Sequence, residues 1–265
     1  MALGDGTEVF AWPDPVAGPP PADALGGADA VVNLMGEPLA QRWTPEVKRK
    51  IRESRVLGTR SLVAGLRALE DQRQQLVLIS QSAVGYYGAH GDEPIDEQSP
   101  PGDDFLANVV VEWEREATAA DELARVVLAR TGVVLAPQGG ALASMLPFFR
   151  LGLGGPVAGG RQYVSWVHRE DVTGALLHCL DREEAVGPIN VTAPNPVTNA
   201  DFSRALGRAL RRPAVMPVPR FGMRLLYGEM SDVVTTGARV MPLRLEQLEY
   251  GFRYAALEPA LRELV

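Results

Sequence analysis

Ser82, Tyr86 and Tyr87 stand close together in the segment Ser82-Ala83-Val84-Gly85-Tyr86-Tyr87-Gly88, and His168 follows downstream in Ser165-Trp166-Val167-His168. These residue types can do carbonyl chemistry. A serine hydroxyl beside a tyrosine can polarise a substrate carbonyl, and a histidine, whose ordinary pKa lies near neutrality, can deliver a proton. The four are the candidate catalytic residues, with Arg161 and Trp166 as candidate substrate contacts on the wall that carries His168. The plainer reading of the two tyrosines is aromatic packing beneath a loop, with their hydroxyls tethered.

Composition closes off other chemistries. The lone cysteine, Cys179, sits in an apolar helical stretch with no base or cation at motif spacing to activate it, so it reads as core. Three histidines, His90, His168 and His178, with one cysteine give no ligand set at metal-binding spacing. With 26 Lys+Arg against 33 Asp+Glu in 265 residues the formal charge is −7, and without a basic stripe the chain lacks the footprint of a nucleic-acid binder. Lys48 and Lys50 are the only lysines, so no tyrosine has a lysine four residues on to lower its pKa. No uncharged apolar run reaches the ~18 residues of a membrane span, and Met1-Ala2-Leu3-Gly4-Asp5 has no leader character. The expectation is a cytoplasmic chain with no membrane partner.

Positioning such residues needs a scaffold. Ala30 to Leu34, Leu76 to Ile79, Val126 to Ala129 and Pro188 to Val191 read as strands covered on both faces. Val133 to Leu135 and Tyr163 to Val167 add two more, and Val9 to Trp12 reads as an edge strand. Thr44-Pro45-Glu46 starts a helix that runs to about Leu69, with a hydroxyl cap and proline at the first helical position. A second helix opens at Asp103-Asp104; Leu106, Val110, Trp113 and Ala117 form its core face, while Glu112, Glu114, Arg115 and Glu116 fall mostly elsewhere. A third runs from Glu170 to Leu180, with Asp171 as an acid favoured at a helix start. Strands alternating with helices imply an α/β fold with a parallel sheet and right-handed crossovers.

The core is expected over residues 1–191, with 139–163 as a mobile glycine-laden loop over the pocket, and a smaller, mostly helical cap over 192–265. Ligands of such sheets sit at the strand carboxyl ends. Those ends hold Asn33-Leu34-Met35-Gly36, Ser80-Gln81-Ser82 and Arg130-Thr131-Gly132, where ordinary turn chemistry explains each Gly, Asn and Ser equally well. A Gly-x-Gly-x-x-Gly turn between a strand and a helix, the usual cradle of a pyrophosphate, is missing.

Longer motifs carry a family resemblance. Asn33-Leu34-Met35-Gly36-Glu37-Pro38, Arg42-Trp43-Thr44, Ser54-Arg55-Val56, Ser82 to Gly88, Arg130-Thr131-Gly132-Val133-Val134-Leu135, Phe149 to Pro156, Ser165 to His168 and Gly251-Phe252-Arg253-Tyr254 resemble the epimerase-family branch of the extended short-chain dehydrogenase/reductases. The resemblance runs from about Ala28 onward. It implies a Rossmann-like core, with a doubly wound parallel sheet, binding NADP or NAD, with NADP favoured, and a substrate pocket between core and cap. It implies that Leu34 and Met35 pack along the cofactor, Arg55 reaches its phosphates and Val134 lies near the nicotinamide, with the strand-end residues Asn33, Gly36, Ser80, Gln81, Thr131 and Gly132 completing the cofactor set.

Two departures accompany it. Family members begin with a strand, a glycine-rich turn and a helix that precede the point where this sequence starts, so the expectation is an N-terminally truncated core with impaired cofactor binding. The superfamily's tyrosine and lysine positions align with Phe105 and Val109. The activity implied is hydride transfer on a small polar, sugar-nucleotide-like substrate, in a chain that allows a homodimer. The alternative is a dinucleotide-binding sensor or interaction protein without catalysis, or a fragment that binds cofactor poorly.

Overall fold

Short apolar runs between turn residues become strands, and amphipathic runs between caps become helices, in a computed structural model that describes residues 6–69 and 76–265. The first five residues, read above as lacking a leader, lie outside that description. The chain enters through a short helix, α1 (Ala22–Leu25), into β1 (Ala30–Asn33), α2 (Pro45–Arg67) and β2 (Val77–Ala83). A single 3-10 turn over Val84–Tyr87 follows, then β3 (Pro94–Ile95), α3 (Phe105–Thr118), β4 (Arg125–Thr131) and β5 (Val133–Leu135). Next come α4 (Gly140–Arg150), β6 (Tyr163–Val164), β7 (Trp166–His168), α5 (Arg169–Asp181) and β8 (Gly187–Val191). The C-terminal part holds β9 (Val197–Thr198), α6 (Asn199–Leu210), α7 (Arg220–Tyr227), α8 (Ser231–Thr235), β10 (Arg239–Val240), α9 (Leu243–Gln247) and α10 (Leu257–Leu264).

The central sheet is parallel throughout, in the order β1-β2-β4-β8. Its register sets Val32 beside Ile79, Ile79 beside Val127, and Ala129 beside Ile189, so alternate residues face opposite layers. One face packs Leu78, Val126 and Leu128 under Leu62, Val63 and Leu66 of α2 and Ala117 of α3. The other packs Ile79, Val127 and Ile189 under Ala175 and Cys179 of α5 and Leu245 of α9. With helices on both faces, the sheet is the doubly wound, Rossmann-like arrangement.

Helix starts follow their chemistry. Thr44 accepts from the Val47 amide ahead of Pro45, and Asp104 accepts from the Ala107 amide at the head of α3. A third core joins α4, α6 and α10 through Leu142, Leu146, Phe149, Phe202, Leu206 and Leu261. The segment after Val191 is tied to the rest by pairing: β9 runs antiparallel to β6, and β10 runs parallel to β3.

Three expectations are corrected. Val9 to Trp12 forms no strand; the Trp12 indole donates to the Gly18 carbonyl at 3.0 Å and anchors an irregular segment. Residues 139–163 are not loop throughout, because Gly140–Arg150 forms α4, whose Leu142, Leu146 and Phe149 repeat at helical spacing and bury against α6 and α10. The strand expected over Tyr163 to Val167 breaks at Ser165, whose carbonyl accepts from Val133 and whose hydroxyl donates to Ala238. Among the described residues no helix is long and apolar enough to cross a membrane.

Candidate functional site

β2 and β4 end side by side, with Ser82 beside Arg130 and Ala83 beside Thr131. The side chains there form one buried polar cluster. Arg130 reaches Glu114 of α3 in a two-pronged pair, Nη2 to Oε2 at 2.7 Å and Nε to Oε1 at 2.8 Å. The Ser82 hydroxyl donates to the same Oε1 at 2.6 Å. Arg130 Nη1 donates to Tyr87 Oη at 3.0 Å, Tyr87 donates onward to Asn190 Oδ1 at 2.7 Å, and Arg130 Cζ lies 3.4 Å from the Tyr86 ring centroid. Glu97 extends the cluster: its Oε1 accepts from the amides of Asn190 at 2.9 Å and Arg244 at 3.1 Å, while its buried Oε2 has no partner.

Burial governs the protonation of this cluster. Burial disfavours the Arg130 cation, but the Glu114 carboxylate outweighs it and holds the guanidinium above its usual range. Burial pushes the Tyr87 phenol up to about 12 against the opposing pull of Arg130 and Asn190, so it keeps its proton at neutral pH. Burial also raises the Glu97 carboxyl, which three backbone hydrogen bonds only partly offset.

At the end of β1, Asn33 Nδ2 donates to Thr59 Oγ1 at 2.9 Å and to Ser80 Oγ at 3.4 Å, and Asn33 Oδ1 accepts from the Met35 amide at 3.2 Å. That locks the turn into Gly36. A Cβ on Gly36 would lie 2.9 Å from Arg55 Nη2, so the guanidinium fills the space the glycine leaves. Arg55 Nη1 donates to the carbonyls of Glu37 at 3.0 Å and Ile51 at 3.2 Å, and Cζ lies 5.4 Å from the Trp113 ring. Burial lowers its pKa, with only a partial offset from the Glu37 charge, and no carboxylate pairs with it among the described residues. Leu34 is 64% exposed, and Met35 packs over α2 at Gly58. The remaining strand-end residues bond locally: Gln81 Nε2 to the Ser82 carbonyl, Thr131 Oγ1 to the Ala129 carbonyl. Val134 packs against the α5 layer.

A cavity of about 760 Å³ opens beside these strand ends. Val84 and Gly85 after β2, Phe105 and Leu106 of α3, Met145 of α4 and Tyr163 of β6 form one side, and Phe202, Met230 and Val233 close it from the C-terminal part.

The structure brings Ser82, Tyr86 and Tyr87 together, but around Arg130 and outside the cavity lining. His168 is not brought to them. It is fully buried at the N-cap of α5, where Nδ1 accepts from the Glu170 amide at 3.2 Å, Nε2 meets Glu263 at 2.9 Å and the ring stacks on Tyr254. Trp166 is fully buried and donates to the Asn195 carbonyl at 3.0 Å, and Arg161 is exposed; neither lines the cavity. Phe105, aligned above with the superfamily's tyrosine, does line it, while Val109 is core.

Sequence reasoning missed Glu114 and Glu97, and placed Arg130 at a strand end without giving it a role. Arg130 carried a signal, as a charge at the carboxyl end of an apolar strand; Glu114, among three other charges on its helix, carried none. Also missed was Tyr163, whose ring has Arg239 Cζ at 5.7 Å and whose hydroxyl bonds to nothing among the described residues. No group of residues suited to a metal ion occurs among the described residues.

Residues 22–192 match the family model of the NAD dependent epimerase/dehydratase family, and residues 218–264 match a domain of unknown function, DUF1731. The chain is 42% identical over 239 residues to the epimerase family protein SDR39U1 homolog, chloroplastic, of Arabidopsis thaliana, covering 90% of this chain and 69% of that protein. It is 42% identical over 258 residues to epimerase family protein Mb2239 of Mycobacterium bovis, covering 96% and 84%. Among solved structures, human epimerase family protein SDR39U1 (isoform 2), solved with NADPH, superposes with a TM-score of 0.85 at 34% identity, covering 92% of this chain and 85% of that one. The family model spans more than half of the sequence and these relatives align over most of it, so the chain belongs to the NAD dependent epimerase/dehydratase family.

Proposed function

We propose that this protein is an NAD(P)-dependent oxidoreductase or epimerase of the extended short-chain type, acting on a small molecule held in the 760 Å³ cavity. One observation carries the reading: Arg55 of α2, without a carboxylate partner among the described residues, fills the space at Gly36 past the carboxyl end of β1, two residues on from the exposed Leu34, and the neighbouring strand β2 leads into the cavity through Val84 and Gly85. A half-buried cation that lacks a counter-ion suits a phosphate, and an exposed leucine suits the apolar faces of a nucleotide. The human relative solved with NADPH supports NADP as the nucleotide.

In this reading Leu34 and Met35 pack along the cofactor and Arg55 balances its charge. Asn33, Gly36, Ser80, Gln81, Thr131, Gly132 and Val134 shape the strand ends around it. The nicotinamide supplies or accepts the hydride when bound. The Ser82–Glu114–Arg130–Tyr87 cluster fixes the Val84–Tyr87 turn, which gives the cavity part of its wall. Tyr163 holds the proton for the substrate oxygen, because its hydroxyl is uncommitted on the cavity lining and the Arg239 cation stands by its ring. Ser82, Tyr86, Tyr87 and His168 act by positioning, since each is committed to the fold's own contacts.

The test is a fluorescence titration of the full chain with NADPH and NADH, followed by turnover of carbonyl substrates. Tyr163→Phe is expected to lower kcat about 100-fold or more, the usual worth of a general acid, and Tyr87→Phe or His168→Ala far less. Failure to bind either nucleotide would sink the reading. A second reading, a nucleotide-binding sensor without turnover, is favoured by Phe105 on the cavity lining where the superfamily's tyrosine would align. Binding without turnover selects it.

A further inference from the structure

We infer that the ligand of the cavity has an apolar body and a single anionic group, such as a carboxylate, rather than the many hydroxyls of a sugar nucleotide. The inference rests on the reading of this cavity as the substrate site.

The walls set the body. Trp43, Phe105, Met145, Phe202, Met230 and Val233 come from five separate parts of the chain and converge on one space. A volume of about 760 Å³ is that of a small-molecule site, and such walls recover free energy only from apolar surface.

The polar residues on the lining are mostly spent within the protein. Asp104 caps α3 at the Ala107 amide, 2.9 Å away. Arg220 pairs with Asp232 at 3.0 Å, and Glu229 pairs with Lys48 at 2.6 Å. The Ser165 hydroxyl is held between the Ala238 carbonyl at 2.7 Å and the Val240 amide at 2.9 Å, and Thr236 donates to the Asp232 carbonyl at 2.7 Å. Gln162 and Asn199 each commit one amide atom, Nε2 to the Val157 and Val234 carbonyls and Oδ1 to the Val157 amide.

What remains is short. Arg224 of α7 makes no side-chain hydrogen bond or ion pair among the described residues, the Tyr163 hydroxyl is free, and Gln162 and Asn199 keep one amide atom apiece. A sugar brings more hydroxyls into the site than these groups can satisfy, and each one desolvated without a partner weakens binding. An apolar body with one anionic end asks for less than these groups offer: the body meets the aromatic and aliphatic wall, the anion meets Arg224 at the exposed rim, a carbonyl meets Tyr163, and only the free amide atoms of Gln162 and Asn199 are left uncalled on.

The experiment uses the full chain in two stages. An NADPH titration comes first and reports on the cofactor reading alone. With NADPH saturating, 2-naphthoate, decanoate, decanol and UDP-glucose are then titrated against the fluorescence of Trp43 and its neighbours, with calorimetry as a check. The carboxylates are expected to bind at least about tenfold more tightly than UDP-glucose. Arg224→Glu should weaken the carboxylates by about tenfold, the scale of one rim charge pair, and leave decanol unchanged. Val233→Glu, at a position that already touches solvent, should abolish binding of carboxylates and decanol alike without lowering the melting temperature. If NADPH binds while UDP-glucose equals or exceeds the carboxylates, or while none of the four probes binds, the inference falls and the cofactor reading stands. If NADPH does not bind, the reading beneath it falls; carboxylate binding that survives without NADPH and follows both variants still upholds the ligand class.

Discussion

Arg130 and Glu114 are both nearly inaccessible to solvent, so the strength of the cluster depends on its completeness. Two charges taken out of water cost several kcal/mol each unless every prong is used, and here the guanidinium serves Glu114 twice, Tyr87 once and the Glu97 carbonyl once. Glu114→Gln therefore strands a buried cation and is expected to cost about 3 kcal/mol or more in urea unfolding. The double variant Glu114→Leu with Arg130→Met should cost less than the sum of the singles, and strict additivity would show that the pair is not coupled. Glu97 works in the opposite sense. Burial raises its folded pKa above the unfolded value, so its protonated form favours the fold below the unfolded pKa, and that contribution is lost as pH rises through the folded pKa. Glu97→Gln keeps an acceptor for the Asn190 and Arg244 amides and removes the buried charge. Its melting temperature is expected to exceed the parent's at pH 8, with the difference shrinking toward pH 4; an equal difference at both pH values would exclude the carboxylate as the cause. At this scale the sequence was half legible. The types Ser82, Tyr86 and Tyr87 pointed to a cluster, yet whether a hydroxyl faces a cavity or a buried arginine depends on Glu114, thirty-odd residues away, and one-dimensional spacing does not carry that distance.

Elements were more legible, because caps and periodicity are local. Thr44 with Pro45, and Asp104 ahead of Phe105, start helices where their chemistry demands. Thr44→Ala is expected to cost about 1 kcal/mol of stability, the worth of one N-cap hydrogen bond, read by thermal unfolding. The longest element that was missed, α4, hides behind its own entrance. Gly139-Gly140 reads as loop, and Gly140 does take a positive φ of 66°, but it is the first residue of a helix whose apolar side faces α6 and α10. The break between β6 and β7 was illegible for a different reason, since it comes from a contact between segments. Gly132 lies so close to Ser165 that a Cβ would stand 2.2 Å from the Ser165 carbonyl oxygen. Gly132→Ala must push β5 away from the Ser165 bend, and the expected loss is about 3 kcal/mol, at the upper end of overpacking costs. A neutral result in urea unfolding would mean that the bend is not fixed by this contact.

At the scale of the whole molecule, the two faces of the sheet are covered unequally. Val32 shares its face with Ile79 and Val127, the face that α5 covers, yet Val32 is 40% exposed because α5 packs over β2, β4 and β8 and does not extend across β1. Leu34, one step past the strand, is 64% exposed, and β1 pairs only with β2 among the described residues. An apolar ledge along an open parallel edge is a template for self-association, and it adjoins the place assigned above to the cofactor. The two uses compete, which yields a joint expectation. The parent chain should associate with rising concentration in sedimentation velocity, and Val32→Lys should suppress that association, since a charge on an edge strand opposes pairing. Saturating NADPH should suppress it as well by covering Leu34, and at about 100 times Kd it should stabilise the monomer by about 2.7 kcal/mol, read as a rise in melting temperature. If NADPH raises the melting temperature while association persists, the nucleotide binds away from the ledge and Leu34 has no part in holding it. If Val32→Lys removes association but also removes NADPH binding, then the ledge belongs to the nucleotide site, and its exposure in the chain alone is the cost of keeping that site open.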